Sequence, residues 1–150
     1  MQKFNPSVNT IYVDMDGVVA DFDAFVLKNL GRTFSHIVGP KGDSEMWDFL
    51  KSVDRLYYIL DETSYARELM EMVADTGANV EFLTAIPRRT SIPGAQIDKY
   101  QWVTERFGDR FKMNIGPYSA DKWKWAKPGD VLIDDRADNI EDWITKGQGN

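Results

Sequence analysis

The chain has 150 residues, of which 43% are hydrophobic and 28% are charged, and this composition is typical of one globular domain. Its 24 acidic residues outnumber its 18 basic residues, for a net charge of −6, so we do not expect it to bind a nucleic-acid polymer through the phosphates. The absence of cysteine excludes disulfides, cysteine nucleophiles and zinc–thiolate sites, and the single histidine, His36, cannot form a multi-histidine metal site.

Membrane and export signals are also missing from the sequence. No apolar run approaches the length of a membrane span, and the first ten residues lack the apolar stretch of a secretory signal. We therefore expect a soluble, cytoplasmic protein with no membrane partner.

The first predicted elements surround a short acidic motif. β-branched and aromatic residues at 11–13 predict a strand that ends at the turn Asp14-Met15-Asp16-Gly17. Apolar residues then recur at helical spacing from Phe22 to Leu30, and Gly31 predicts the end of that helix. Residues 32–61 do not fit an alternation of strands and helices, apart from a predicted helix over 46–58. We interpret them as an insertion above the predicted sheet.

The rest of the chain alternates strands with helices. We predict helices over 64–74 and 139–145, strands over 80–84, 111–115 and 131–133, and a helix after Gly94 whose apolar stripe is Ile97, Tyr100, Val103 and Phe107. This alternation favours a parallel sheet covered on both faces. The prediction is one α/β domain over 1–150, a three-layer Rossmann-like fold in which about 22–63 form a small helical cap after the first strand.

Polar side chains follow each predicted strand at the end where parallel α/β sheets bind ligands. They are Asp14 and Asp16, Thr84, Lys122, and the pair Asp134 and Asp135. Carboxylates that converge on one crevice repel each other unless a cation neutralises them. A site whose ligand atoms are all oxygens favours a hard divalent ion, and we therefore predict Mg²⁺ as the cofactor.

These motifs resemble those of a known family. Asp14-Met15-Asp16-Gly17-Val18-Val19-Ala20-Asp21-Phe22 is similar to the first motif of the haloacid dehalogenase-like phosphohydrolases, and more narrowly to the 5'(3')-deoxyribonucleotidase branch. The resemblance continues, in the family's order, at residues 82–84, 98–103, 121–122 and 132–136. It implies a magnesium-dependent phosphatase that dephosphorylates deoxyribonucleoside monophosphates through an aspartyl-phosphate.

The resemblance also implies a role for each motif residue. Asp14 would attack phosphorus, and Asp16 would protonate the leaving group and supply a backbone carbonyl to the metal. Thr84 and Lys122 would bind the phosphate. Strand alternation alone does not decide which of Asp134 and Asp135 faces the metal, but the resemblance favours Asp135 as the direct ligand, with Asp134 supporting the metal's water shell.

Several further residues have two interpretations each. Lys99, in the first turn of its helix, is either a phosphate ligand or a solvated lysine. Phe22 and Trp47 either sandwich a nucleotide base or pack the cap against the core. Arg88 and Arg89 are interpreted as an exposed basic loop.

Two departures from the deoxyribonucleotidase pattern stand out. Thr84 is followed by Ala85, where that branch usually has a phosphate-binding serine. The chain also stops soon after the last motif, so we expect a shortened C-terminus, a sheet with fewer strands and an uncovered sheet edge. Whether a second chain supplies the missing strand in a homo-oligomer stays open.

Other functions remain as alternatives. A related phosphatase could act on another small phosphate ester, such as a sugar phosphate. A phospho-acceptor signalling domain also combines acidic residues, threonine and lysine on a parallel sheet, but it places the acidic pair first, whereas here the pair comes last. An inactive binding domain is the remaining alternative.

Overall fold

A computed structural model describes residues 2–31, 40–87 and 92–150, with the backbone alone for 40–44. His36, Arg88 and Arg89 therefore lie outside the described residues. The described strands form one parallel sheet in the order β3-β2-β1-β4. They are β1 (Thr10–Val13), β2 (Asn79–Thr84), β3 (Lys112–Ile115) and β4 (Val131–Ile133).

Within the described ranges, five α-helices and one 3-10 helix surround the sheet. They are α1 (Phe22–Leu30), α2 (Pro40–Ser52), α3 (Ala66–Ala74), α4 (Ala95–Phe107), the 3-10 helix Ser119–Trp125 and α5 (Ala137–Thr145). The prediction of an α/β fold with a parallel sheet is confirmed. None of the described helices is long and apolar enough to cross a membrane.

Neighbouring residues of a strand point to opposite faces of the sheet. Both faces are apolar here, because consecutive strand residues are apolar. Val13 and Phe82 belong to the larger hydrophobic cluster, with residues of α1 to α4. Tyr12 and Leu83 belong to a smaller cluster around Trp143 of α5. Side chains of α1 and α2 share the larger cluster with the sheet, so the segment predicted as a cap packs into the same core.

The helix predicted over 46–58 is displaced in the structure. It spans Pro40–Ser52 and is followed by turns. Arg55 has a left-handed φ of 54°, which a continuing α-helix does not allow. Leu56 and Tyr57 are nevertheless buried, because the turns fold them back into the core.

The apolar stripe predicted for α4 is confirmed at Val103 and Phe107, which pack in the core, and is wrong at Ile97 and Tyr100. Ile97 and Tyr100 are 64% and 60% exposed, whereas Asp98 and Lys99 are buried together with Trp102. The two charged residues occupy the inner face because each has an ionic partner there. Asp98 accepts a hydrogen bond from Arg55 at 3.1 Å, and Lys99 donates to Asp16 at 2.9 Å.

The edge of the sheet at β4 has a backbone partner that sequence analysis did not anticipate. Leu132 N donates to Asn150 O at 2.9 Å, and Asn150 N donates to Asp130 O at 2.6 Å. These two bonds form the pattern of a parallel bridge. The sheet edge that we expected to be uncovered is therefore paired at this position.

Candidate active site

The predicted site residues converge at the carboxyl end of the sheet. Asp14 follows β1, Thr84 ends β2 and Asp134 follows β4, and these three strands are neighbours in the sheet. A cavity of about 780 Å³ opens there. Its lining includes Asp14, Asp16, Lys122, Asp135, Phe22, Trp47 and Tyr57.

The first strand leads into a tight turn that presents two carboxyl groups. Met15 O accepts hydrogen bonds from the amides of residues 18, 19 and 20, and Gly17 N donates to Ala20 O at 2.9 Å. Gly17 has a φ of 82°, a conformation that L-residues rarely adopt. The turn places Asp14 and Asp16 on the same cavity.

Asp14 is buried beside a buried lysine. Lys122 Nζ donates to Asp14 Oδ1 at 2.8 Å, and Lys122 is only 2% exposed. Burial raises the pKa of Asp14 from 3.8 to about 7, and the neighbouring Asp134 and Asp16 carboxylates act in the same direction, against the lowering effect of Lys122. In the described part of the chain no donor bonds Asp14 Oδ2, so this oxygen is left for a ligand or a reaction.

Asp134 supports Lys122 from the other side. Its buried carboxylate accepts from Lys122 Nζ at 2.8 Å, from Asn139 Nδ2 at 3.0 Å and from Arg136 N at 2.9 Å. Sequence reasoning missed Asn139, because only the start of α5 beside β4 brings this buried amide to Asp134. Asp134 is thus committed to protein partners.

Asp135, the second member of the pair, lines the cavity. Partial burial and the Asp134 carboxylate raise the pKa of Asp135. Asp14, Asp134 and Asp135 each offer one oxygen, and these oxygens all lie within 4.8 Å of one another. Burial raises the pKa of both Asp14 and Asp135, and carboxylate oxygens held this close together fit a hard divalent cation.

Lys99 is a fully buried residue, so its interpretation as a solvated lysine is wrong. Its ammonium donates to Asp16 Oδ2 at 2.9 Å, to Thr84 Oγ1 at 2.8 Å and to Ala85 O at 2.7 Å. An ammonium has three donors, and these partners use all of them. Lys99 and Thr84 therefore lie behind Asp16, where Lys99 holds Asp16 and the Thr84 hydroxyl in position.

The lining of the cavity also includes four aromatic side chains, those of Phe22, Trp47, Tyr57 and Tyr118. Phe22 and Trp47, the pair predicted from the sequence, are both present, and Tyr57 joins them. The Phe22 and Tyr57 rings stack with centroids 6.4 Å apart and an interplanar angle of 19°. The Lys99 ammonium lies 4.3 Å from the centroid of the Tyr57 ring. Tyr57 and Tyr58 are further candidates from the inserted segment for the same aromatic role, and of these two only Tyr57 lines the cavity.

Comparison with protein-family models finds no match for this chain, and comparison with curated protein sequences finds none either.

Proposed function

We propose that the protein is a magnesium-dependent phosphomonoesterase of the haloacid dehalogenase-like type, which dephosphorylates deoxyribonucleoside monophosphates in the cytoplasm through an aspartyl-phosphate. The observation that carries this proposal is the arrangement of Asp14. It follows an interior strand, its Oδ1 is bonded to Lys122, and it shares a cavity with Asp16 and Asp135. A nucleophile, a proton carrier and a positive charge in one cavity are the groups that phosphoryl transfer requires.

In the proposed first step, Asp14 Oδ2 attacks phosphorus. A bond forms between this oxygen and phosphorus while the bond from phosphorus to the leaving alkoxide breaks. Lys122 holds Asp14 Oδ1 at 2.8 Å and so orients the carboxylate and balances its charge. The leaving alkoxide takes a proton from Asp16, and the nucleoside departs with a hydroxyl group.

In the second step, Asp16 takes a proton from a water molecule that attacks the phosphorus of the aspartyl-phosphate. The bond between phosphorus and Asp14 Oδ2 breaks, and inorganic phosphate is released. Asp16 Oδ2 is occupied by Lys99, while its Oδ1 is buried without a partner among the described residues. The Asp16 side chain as a whole lines the cavity and is 29% exposed, so Asp16 is the residue on which we place the proton in both steps.

The residues of the site fit the proposed Mg²⁺. Asp14 and Asp135 would hold it, since Asp134 is already bonded to Lys122, Asn139 and the backbone. The bound ion would neutralise the negative charge of the carboxylates and of the phosphate. The family resemblance adds the backbone carbonyl of Asp16 as a further ligand.

The aromatic residues favour a nucleotide over a simple sugar phosphate. Phe22, Tyr57 and Trp47 offer flat apolar surfaces beside the catalytic carboxylates, and every nucleic-acid base has a face that stacks on such rings. A sugar phosphate without a base would leave these rings unused. We therefore keep another small phosphate ester as the second candidate.

The proposal is tested by measuring phosphate release from purified protein. The panel contains deoxyribonucleotides, ribonucleotides, sugar phosphates and an aryl phosphate, each with Mg²⁺ and with EDTA. We expect the highest kcat/KM for deoxyribonucleoside monophosphates, and no release in EDTA. Asp14→Asn should abolish release, whereas Asp109→Asn, a change at an exposed carboxylate, should leave it intact. Activity in folded Asp14→Asn, or no release from any ester, contradicts the proposal.

A further inference from the structure

Tyr57 is a buried polar residue of the cavity that the mechanism above does not use. It is only 4% exposed and lines the cavity. The Phe22 stacking and the Lys99 ammonium keep its ring in place. In the described part of the chain its hydroxyl has no hydrogen-bond partner.

The hydroxyl of Tyr58, the next residue, differs from that of Tyr57 because it has a protein partner. Tyr58 is directed away from the cavity, and its hydroxyl donates to the Glu105 carboxylate at 2.8 Å. A hydroxyl that has no partner among the described residues and belongs to a cavity-lining side chain is available to donate to a ligand. Of these two adjacent residues, Tyr57 is the one with an unused donor.

The Tyr57 hydroxyl remains a donor at neutral pH, and its ring lies near the proton carrier. Burial raises the pKa of Tyr57 well above its ordinary value of 10, and the Asp16 carboxylate raises it further. The Lys99 ammonium lies 4.3 Å from the centroid of the Tyr57 ring and donates to Asp16 Oδ2 at 2.9 Å. Tyr57 and Asp16 therefore line the same part of the cavity.

We propose that Tyr57 binds the substrate directly, with its hydroxyl donating a hydrogen bond to a sugar oxygen next to the ester bond. This inference rests on the proposed function, because Asp16 is the group that protonates the ester oxygen of the leaving nucleoside. The ring supplies stacking surface, and the hydroxyl adds a polar contact that a leaving group without a sugar cannot use. Tyr57 thereby discriminates between nucleotides and other phosphate esters.

The test compares Tyr57→Phe with Tyr58→Phe. Each variant removes one hydroxyl and keeps the ring, so we expect both to fold with the melting temperature of the wild type. The substrates are thymidine 5'-monophosphate and p-nitrophenyl phosphate, which has no sugar. We expect Tyr57→Phe to lower kcat/KM about fivefold for the nucleotide, the effect of one neutral hydrogen bond, mainly through KM. The aryl phosphate should be unaffected, and Tyr58→Phe should change neither substrate.

Binding of the product separates this inference from the proposed function. Thymidine has no phosphate, so its Kd, measured by calorimetry, reports only contacts with the nucleoside. We expect Tyr57→Phe to weaken thymidine binding about fivefold. An equal loss for both substrates, or an unchanged Kd for thymidine, overturns the role of Tyr57. Thymidine binding that depends on Tyr57, without phosphate release by the wild type, overturns the proposed function but leaves this contact in place.

Discussion

Gly17 and Asp135 are close neighbours although they belong to different ends of the chain. A Cβ atom placed on Gly17 would lie 2.6 Å from the carboxyl carbon of Asp135, and closer still to its Oδ2. The backbone of the turn after β1 thus forms the wall against which the Asp135 carboxylate lies. Position 17 needs glycine for this close approach as well as for its φ of 82°.

Gly17→Ala should therefore disrupt the site as well as strain the turn. We expect a loss of about 1 kcal/mol from the left-handed conformation, together with displacement of Asp135 and loss of phosphate release and of stabilisation by Mg²⁺. Gly77→Ala is the matched control, because Gly77 has a φ of 79° and no atom within 4 Å of its Cβ position. Thermal melting without Mg²⁺ reports the strain of the turn, and the further rise in melting temperature with Mg²⁺ reports whether Asp135 is displaced. Retained activity in Gly17→Ala would contradict the close approach.

Burial of Asp14 should make the stability of the protein depend on pH. Its pKa is raised from 3.8 to about 7, so the folded state keeps a proton that the unfolded state loses. The stabilisation is complete below pH 3.8 and disappears as the pH rises to about 7. Asp14→Asn cannot ionise, and we expect its melting temperature in EDTA at pH 8 to exceed that of the wild type by about 3 °C.

The difference between these two proteins should shrink as the pH falls toward 4, because the wild-type carboxyl then becomes protonated. Melting curves from pH 4 to pH 8 in EDTA measure it. A variant that is less stable than the wild type at pH 8 would show that the bond from Lys122 to Asp14 outweighs the cost of burial.

Mg²⁺ should stabilise the folded protein, and the two members of the acidic pair should differ in this response. A ligand that binds only the folded state stabilises it by RT ln(1 + L/Kd), where L is the free ligand concentration, so the melting temperature rises with the ligand concentration. We expect millimolar Mg²⁺ to raise that of the wild type, and Asp135→Asn to reduce both the rise and the activity. The measurement is a magnesium titration followed by thermal melting.

Asp134→Asn should behave differently in the same titration. This change removes the negative charge that pairs with the buried Lys122 ammonium. We expect a loss of about 2 kcal/mol of stability in EDTA, with the stabilisation by Mg²⁺ retained. Loss of the response in Asp134→Asn but not in Asp135→Asn would reverse the assignment within the pair. If none of the proteins responds, the metal is removed from the mechanism.

Lys99 should matter for stability as much as a core residue does. Lys99→Met keeps the length of the side chain but leaves Asp16, Thr84 and Ala85 O without their donor. We expect a loss of about 2 kcal/mol and a large loss of phosphate release. Lys124→Met is the control, because Lys124 is 60% exposed and pairs with Asp121 at the surface, where an ion pair contributes less than about 1 kcal/mol. Equal small effects in both variants would indicate that Lys99 is solvated.

The sequence by itself was sufficient to locate the strands along the chain and to identify the residues that follow them. Strands and turns depend on nearby residues, so the apolar runs at 11–13, 80–84 and 131–133 and the glycine at position 17 were informative. Parallel strands place their carboxyl ends at one edge, and this rule brought Asp14, Thr84 and Asp134 together before any coordinates were known.

The face that α4 buries was decided only by the tertiary structure. Periodicity correctly selected Val103 and Phe107, but it also selected Ile97 and Tyr100, which are exposed, and it missed the buried Asp98 and Lys99. A charged side chain can be buried only where a partner offsets its loss of hydration. The partner of Lys99 is Asp16, which lies 83 residues away in the chain. No local pattern contains that information.

The different roles of Asp134 and Asp135 and the position of Tyr57 also required the folded chain. Alternation along a strand shows that adjacent carboxylates point apart, but it does not show which one meets Lys122, a residue from another element. Lys122 also bonds Asp14, which precedes Lys122 by 108 positions, and so links Asp14 to Asp134. Local sequence thus determined which chemical groups reach the site. Long-range pairing of buried charges, which depends on three-dimensional distance, decided how each group is used.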